Sequence, residues 1–346
     1  MSVTNLQIAE LLGRRADEAD GHRRRAYGRA SSAALMWPEE AAAVAARSES
    51  LETLPGVGPS LARRITDWLD DPGELLEPPP VRRGFRSYAS ALQSLDPHSE
   101  WSRELRGDLQ MHSTYSDGKA TLRDMALAAA DRGYDYISIT DHSQGLKVAR
   151  GMDEAELARQ GHEVDRLNES LAAEGIELRV LRGIEMNLDK EGAGDMEPQS
   201  LEPLDLVVGS FHSNLRSTED ETDRYLGALA NPLINILGHP TTRRFSRRAG
   251  LRAEWPRIFE AAASSGVALE INSHPHRQDI YPELLRLGKD SGALFSIGTD
   301  AHSTGELAYV GLSLAASQDA GIERERIINF WELDRLLGWA GARAGR

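Results

Sequence analysis

The stretch GDLQMHSTYSDG, residues 107–118, sets Leu109 and Met111 in alternation and then releases a histidine, an aspartate and several hydroxyls in quick succession. A half-buried strand running into a polar loop has that pattern. The transition recurs down the chain. YDYISIT (134–140), IELRVLRGI (176–184), DLVVGSF (205–211), INILG (234–238), VALEIN (267–272) and LFSIG (294–298) are further strand candidates, and helical spacing over 121–132, 155–174 and 253–265 separates several of them. Strands alternating with helices imply a parallel sheet, closed as a barrel or opened as a wound sheet.

Each strand delivers polar residues at its end. His112 and Asp117 follow the first, Asp141 and His142 the second, and Glu185 ends the third. His212, His239 and Asn272 end the next ones, and Asp300 with His302 follows the last. In parallel barrels the loops after strand ends converge on one face, where active sites are built. A lone histidine after a strand is usually a capping or core residue, and an isolated Asp-His pair is usually a turn. Five histidines with several carboxylates, all at strand ends of one pattern, are not explained that way. Imidazole and carboxylate donors suit Zn²⁺, Mn²⁺ or Fe²⁺, and since about four to six ligands fill one sphere, two or three ions are expected. Ions held about 3.5–4 Å apart clamp a phosphoryl group and acidify a bridging water, which is phosphoesterase chemistry.

Composition narrows the alternatives. The 346 residues are 40% hydrophobic and 27% charged, ordinary values that suggest about two folded units and argue against disorder. Cysteine is absent, which excludes disulfides, thiolate nucleophiles and cysteine-ligated metal. No apolar run is long enough to span a bilayer and the charged N-terminus lacks an export signal, so a cytoplasmic address and no membrane partner are expected. The net charge of −14 opposes non-specific binding of nucleic acid over the whole surface. The first 106 residues hold 14 arginines against 16 acidic residues, so most of the excess charge lies beyond residue 106, which fits a part that gathers cations as well as it fits solubility.

That first part reads as all helical, with apolar residues at helical spacing over 3–19, 37–49 and 60–70. Within LETLPGVGPSLARRITDWL (51–69), Pro55, Gly56 and Gly58 form a short turn between amphipathic segments. The Pro- and Arg-rich stretch EPPPVRRGFRSYASALQSLDPHSEW (77–101) reads as linker. The expected organisation is a helical domain over 1–75, a linker over 76–106 and a barrel domain over 107–346. The C-terminal FWELDRLLGWAGARAGR reads as an amphipathic helix and tail.

GDLQMHSTYSDG, SITDHS, GIE, GSFHS, GHP and GTDAH resemble, in order and context, the motifs of the polymerase and histidinol phosphatase (PHP) domain over about residues 107–330. The resemblance implies a distorted seven-stranded (β/α)7 barrel, an α/β fold, with a trinuclear metal site and phosphoester hydrolysis. It implies as ligands His112, Asp117, His142, Glu185, His212, His239, Asp300 and His302, with Glu185 bridging the ions and Glu185 and Asp300 serving catalysis. The family's His-x-His opening reads here Gln110-Met111-His112, so Gln110 offers only a carbonyl oxygen to its metal position. This glutamine form resembles the branch fused to bacterial family X DNA polymerases. So do GHPTTRRFSRR (238–248) and EINSHPHRQD (270–279), which place Arg243, Arg247, Arg248 and Arg277 as candidate phosphate contacts, Arg243 and Arg277 also as candidate catalytic groups. His274 and His276 match no ligand position and read as local hydrogen-bonding residues.

LPGVGPSLARRI (54–65) resembles the helix-hairpin-helix motif, in which Gly56, Val57 and Gly58 let backbone N–H groups approach a DNA phosphate without reading sequence. Residues 5–70, including HRRRAYGRA (22–30), resemble the small N-terminal domain of family X polymerases. Where some such domains carry a Schiff-base lysine this chain has Arg64, which cannot form an imine, so no lyase activity is expected. Between the helical domain and residue 107 there is only a linker of about thirty residues, too short for a nucleotidyltransferase centre, and no polymerase activity is expected. The sequence therefore points to a phosphoesterase with two or three divalent ions acting at DNA 3′ ends, as a 3′-5′ exonuclease or 3′-phosphatase of DNA repair. The alternatives are a small-molecule phosphatase such as histidinol-phosphate phosphatase, with a phosphorylated metabolite as partner, and a non-catalytic DNA-binding protein.

Overall fold

The computed structural model describes residues 2–95 and 100–343, and the chain folds as two compact units. The first comprises residues up to 97 together with 243–249 and 275–277, and the second comprises the remainder.

The first unit is helical. Helix α1 (Asn5–Glu18) starts at a capping box in which the Thr4 hydroxyl accepts from Gln7 N and the Gln7 side chain accepts from Thr4 N. It packs against α2 (Gly21–Met36), followed by α3 (Ala41–Ala46) and α4 (Pro59–Asp70), the last opened by proline at its first position. Ile8, Leu12, Leu35, Trp37 and Ile65 are fully buried at the centre. The helix read over 37–49 is shorter than its periodicity suggests, because the chain turns at Ser48 with a φ of 59°. Helix α2 has no stripe of large apolar residues: its buried face is Ala30, Ser31, Ala34 and Leu35. Packing against α1 supplies what propensity does not.

The stretch read as a linker is folded. Arg82 is 4% exposed and lies across α1, donating to Glu10 at 2.7 Å and to Asp17 at 2.9 Å. Gly13 makes room for it, since a Cβ there would stand 3.0 Å from the Arg82 Nε. Phe85 enters the core and meets Phe245 edge-on at 5.1 Å, and Ser87 caps α5 (Tyr88–Ser94). Proline and arginine content hid this segment because its partners are about 70 residues away, as with Arg82 and Glu10. Residues 96–99 of the stretch lie outside the described residues, and α6 (Glu100–Glu104) follows them.

The second unit is a barrel of seven parallel strands in sequence order: β1 (Gly107–Met111), β2 (Tyr136–Ile139), β3 (Arg179–Leu188), β4 (Leu206–Phe211), β5 (Ile236–Leu237), β6 (Ala268–Asn272) and β7 (Phe295–Gly298). The ring is drawn together between β7 and β1, where Asp300 N donates to Gln110 O at 3.0 Å and His112 N to Ala301 O at 2.8 Å. Helices α7 (Leu122–Ala130), α8 (Glu154–Ala173), α9 (Pro198–Leu201), α10 (Thr222–Ala230), α11 (Trp255–Ser265), α12 (Pro282–Gly288) and α13 (Val310–Ala320) fill the crossovers and the return after β7. The expected seven-stranded α/β barrel is therefore present.

The C-terminal segment closes the end of the barrel where the strands begin. Ile328, Trp331, Leu336 and Ala340 pack with Leu109, Tyr136, Leu181, Leu206 and Ala268. Asn329 Nδ2 donates to Gly107 O at 2.9 Å and Ile297 O at 2.8 Å, joining the first and last strands, and Tyr136 donates its hydroxyl to Trp331 O. The amphipathic helix read there, α14 (Leu333–Arg343), is part of this plug.

Candidate metal centre

With one end of the barrel plugged, the polar residues collect at the other. His112 and Asp117 come from the loop after β1, His142 from β2, Glu185 from within β3, His212 from β4, His239 from β5, and Asp300 and His302 from β7. Three overlapping groups have their donor atoms within 4.8 Å of one another: His112, Asp117, His142 and His302; His142, Glu185 and His212; His112, Glu185 and Asp300.

Glu185 stands at the centre with no exposed side-chain surface, and its two oxygens face different imidazoles. Oε1 lies 2.8 Å from His239 Nε2 and 3.3 Å from His212 Nε2. Oε2 lies 3.1 Å from His142 Nδ1 and 3.4 Å from His112 Nε2. Burial opposes its ionisation, but the surrounding imidazoles overcome it and hold the carboxyl well below the usual range. His112 Nε2 also lies 3.2 Å from Asp300 Oδ1. The His112 ring stacks on those of His142 and His302, with centroids 4.4 and 4.3 Å apart.

These residues fit divalent cations. Buried nitrogens of His112, His142 and His212 and the buried Oε2 of Glu185 have no hydrogen-bond partner, an arrangement that is costly unless the lone pairs serve another acceptor of electron density. Nitrogen and carboxylate oxygen donors converging from five loops and a strand supply that role to Zn²⁺, Mn²⁺ or Fe²⁺. His302 is set for the same task, since its Nδ1 donates to the Asp300 carbonyl at 2.8 Å and leaves Nε2 for a ligand bond.

The outer pair differs electrically from the inner residues. His302 Nε2 lies 3.2 Å from Asp117 Oδ1. Burial pulls the His302 imidazole down, but its hydrogen bond to Asp117 and the Asp300 and Asp117 charges push it up to about 9. Asp117 is resisted by burial and drawn down to about 2, first by His302 and then by the neighbouring imidazoles. Burial takes His142 the other way, to about 3, against the attraction of Glu185. At neutral pH the metal-free cage thus holds His142 neutral and His302 charged. A ligating imidazole must be neutral, so loading ions at pH 7 is expected to release about one proton from His302. Calorimetric titration with Mn²⁺ in buffers of different ionisation enthalpy measures this, and buffer-independent heats would contradict it.

Among the ligand-type residues at strand ends, Asp141 has another task. Its carboxylate accepts from Ser113 N at 2.8 Å, Ser113 Oγ at 2.6 Å, Ser116 Oγ at 2.5 Å and Gln160 Nε2 at 2.6 Å. It clamps the loop that carries His112 and Asp117. Asp108 instead ties β1 to the residues after β7, accepting from Thr299 N and Gln110 N at 3.1 and 3.2 Å. The serines at 113 and 116, three apart in the quoted stretch, were the available signal for the first clamp. Gln110 is buried, with its Oε1 near Gly238 just before His239.

The candidate arginines divide. Residues 243–249 and 275–277 belong to the helical unit. Arg243 is only 2% exposed there, its guanidinium 3.8 Å from the Phe85 ring centroid and donating to Arg83 O at 2.7 Å. Arg247 is exposed, and Arg248 and Arg277 are half-buried. In the same unit Gly56, with a φ of 79°, is exposed and Gly58 half-buried, on either side of the buried Val57. Only a single 3₁₀ turn, Leu51–Thr53, precedes this hairpin, and α4 follows it. The Arg64 guanidinium lies 5.8 Å from the Tyr27 ring centroid and 6.0 Å from that of Trp68. Among the described residues, no helix is long and apolar enough to cross a membrane.

A family model for the PHP domain matches residues 108–274. The chain is 34% identical over 258 residues to the DNA polymerase/3′-5′ exonuclease PolX of Bacillus subtilis (strain 168), an alignment covering 73% of this chain and 44% of that protein. It therefore spans less than half of that relative's length. It is 29% identical over 237 residues to a "Probable phosphatase" of Syntrophotalea carbinolica, covering 64% of this chain and 90% of that one. Among solved structures, histidinol phosphate phosphatase from Lactococcus lactis, in complex with zinc, L-histidinol and phosphate, superposes with a TM-score of 0.46 at 21% identity, over 63% of this chain and 95% of its own.

Proposed function

We propose that the chain, whose residues 108–274 match the PHP-domain model, is a metal-dependent phosphoesterase that hydrolyses phosphoesters at DNA 3′ ends, as an exonuclease or a 3′-phosphatase. The observation that carries the reading is Glu185, whose two oxygens belong to different sets of imidazoles, the arrangement needed to share one carboxylate between cations. Divalent ions so held neutralise phosphoryl oxygens and bring the pKa of bound water toward neutrality.

The chain's own residues set the direction of approach. His112 and Glu185 have no exposed side-chain surface, whereas the side chains of Asp117 and His302 are 37% and 25% exposed. A phosphoester enters past this outer pair, and the inner residues exclude bulk water behind it. Two or three ions would be held by His112, Asp117, His142, Glu185, His212, His239, Asp300 and His302, with the buried Gln110 offering an unpartnered carbonyl oxygen where the family's motif has an imidazole. Arg243 is committed to the helical core, so the phosphate contacts fall on Arg247, Arg248 and Arg277. The hairpin at Gly56–Gly58, exposed at Gly56, supports backbone contact with DNA, and the similarity to PolX supports DNA as substrate.

A small phosphorylated metabolite is the second reading, favoured by the acidic charge beyond residue 106. Turnover of a 3′-recessed duplex is to be compared with that of histidinol phosphate in Mn²⁺. The duplex is expected to be preferred by at least about tenfold in kcat/KM, a difference of roughly 1.4 kcal/mol. A preference of that size for the metabolite would replace the DNA reading and leave phosphoester hydrolysis standing.

A further inference from the structure

One buried carboxylate has not been given a task. Glu270 sits in the middle of β6, is 1% exposed, and interrupts the otherwise apolar run VALEI. Its register partner on β7 is Ser296, so it occupies the same sheet face as Asn272 and Gly298, one step nearer the ligands. Gly298 is needed here: a Cβ at that position would stand 2.0 Å from Glu270 Oε1 and 2.7 Å from Gln110 Cβ.

Two of the candidate ligands have backbones that glycine adopts more readily. His239 has a φ of 26° and Asp300 a φ of 54°. Such conformations are strained and persist only where the surroundings over-determine them. Neither residue can be glycine and still donate to a cation. Glu270 Oε2 accepts from His239 N at 2.6 Å. The same oxygen accepts from Asn272 Nδ2 at 3.1 Å, and that amide reaches Asp300 Oδ2 at 3.4 Å.

We propose that Glu270 is a positioning residue for the metal cage, holding the His239 backbone directly and the Asp300 carboxylate through Asn272. The proposal rests on the cage binding divalent ions, as set out above. Glu270 belongs to none of the three groups of converging donors. Its side chain fixes two strained ligands, from β5 and β7. Its loss would therefore weaken ion binding at the donors it holds, His239 and Asp300, more than at donors it does not reach, Asp117, His142 and His212.

The test is a Mn²⁺ titration of the metal-stripped full chain, followed by calorimetry and by atomic analysis of the dialysed protein. Glu270→Leu is expected to weaken one class of site by about 10–100-fold, the range for partners that orient a ligand, with the remaining site unchanged. Glu270→Gln keeps a carbonyl oxygen for both N–H donors and is expected to bind within about threefold of wild type, since an amide oxygen accepts as the carboxylate oxygen does. Glu270→Asp is too short to reach His239 N and should behave as Glu270→Leu, which covers the case in which leucine prevents folding. Wild-type binding in both Glu270→Leu and Glu270→Asp, or uniform loss at every site in all three variants, would overturn the positioning role alone. A wild-type chain that takes up no Mn²⁺ would overturn the cage and this role together.

Discussion

Glu185→Ala is expected to reduce phosphoester turnover by about a thousandfold or more, near 4 kcal/mol of transition-state stabilisation, the scale on which a single preorganised electrostatic group acts. Its effect exceeds that of other ligand substitutions because both oxygens are in use. Oε1 faces His212 and His239, Oε2 faces His142 and His112, and all four rings are held at 2.8–3.4 Å around one buried anion. Without that anion the inner cations face like charge across the gap it filled, and the nitrogens of opposite walls no longer share a centre. Glu185→Gln should be nearly as damaging, since an amide presents one oxygen and directs N–H groups at imidazoles whose lone pairs are required. The measurement is kcat/KM on a phosphodiester together with metal content. Activity within tenfold of wild type at unchanged metal content would remove Glu185 from the centre of the chemistry.

Stripping the ions is expected to abolish activity and to lower the melting temperature of the barrel by roughly 10 °C. The estimate follows from about 4 kcal/mol of stabilisation at a free-ion concentration a thousand times the dissociation constant, and from roughly 2–4 °C per kcal/mol for a unit of this size. Physically, Glu185, Asp117 and Asp300 are carboxylates brought to one place, and only cations relieve the cost of gathering them. The helical unit has no share in these ligands, so its own transition should stay where it is while the other moves. Scanning calorimetry with and without a chelator resolves this. Coincident thermograms would mean that the residues do not hold metal in solution.

Much of the barrel and most of its candidate ligands were legible because they depend on local pattern. A strand of alternating or continuous apolar residues followed by His or Asp signals itself within a dozen residues, as 107–118 does. What escaped depends on distant partners. Helix α2 buries small residues, so no stripe marks it, and Arg82 looks solvated until Glu10 is placed beside it. Asp141 has the ligand residue type and position, yet its neighbours Ser113 and Ser116 turn it into a clamp. Glu270 left a readable trace, a charge in the centre of a buried strand, where an acid is rarely found unless it is paired. Arg243 was selected for its charge and place in the sequence, but proximity to Phe85 and a backbone carbonyl gives it structural work.

The plug built from the end of the chain sets a schedule for biosynthesis. Asn329 staples Gly107 to Ile297, so the ring has no seal until more than two hundred residues after its first strand have been made. The helical unit waits as well, because Phe245 completes a core whose other members mostly precede residue 86. Neither half can finish while the ribosome is still working through the middle of the message. Nascent chains stalled before residue 329 should therefore expose unpaired strand edges and depend on chaperones, whereas the helical unit should become protease-resistant once residues 243–277 have emerged.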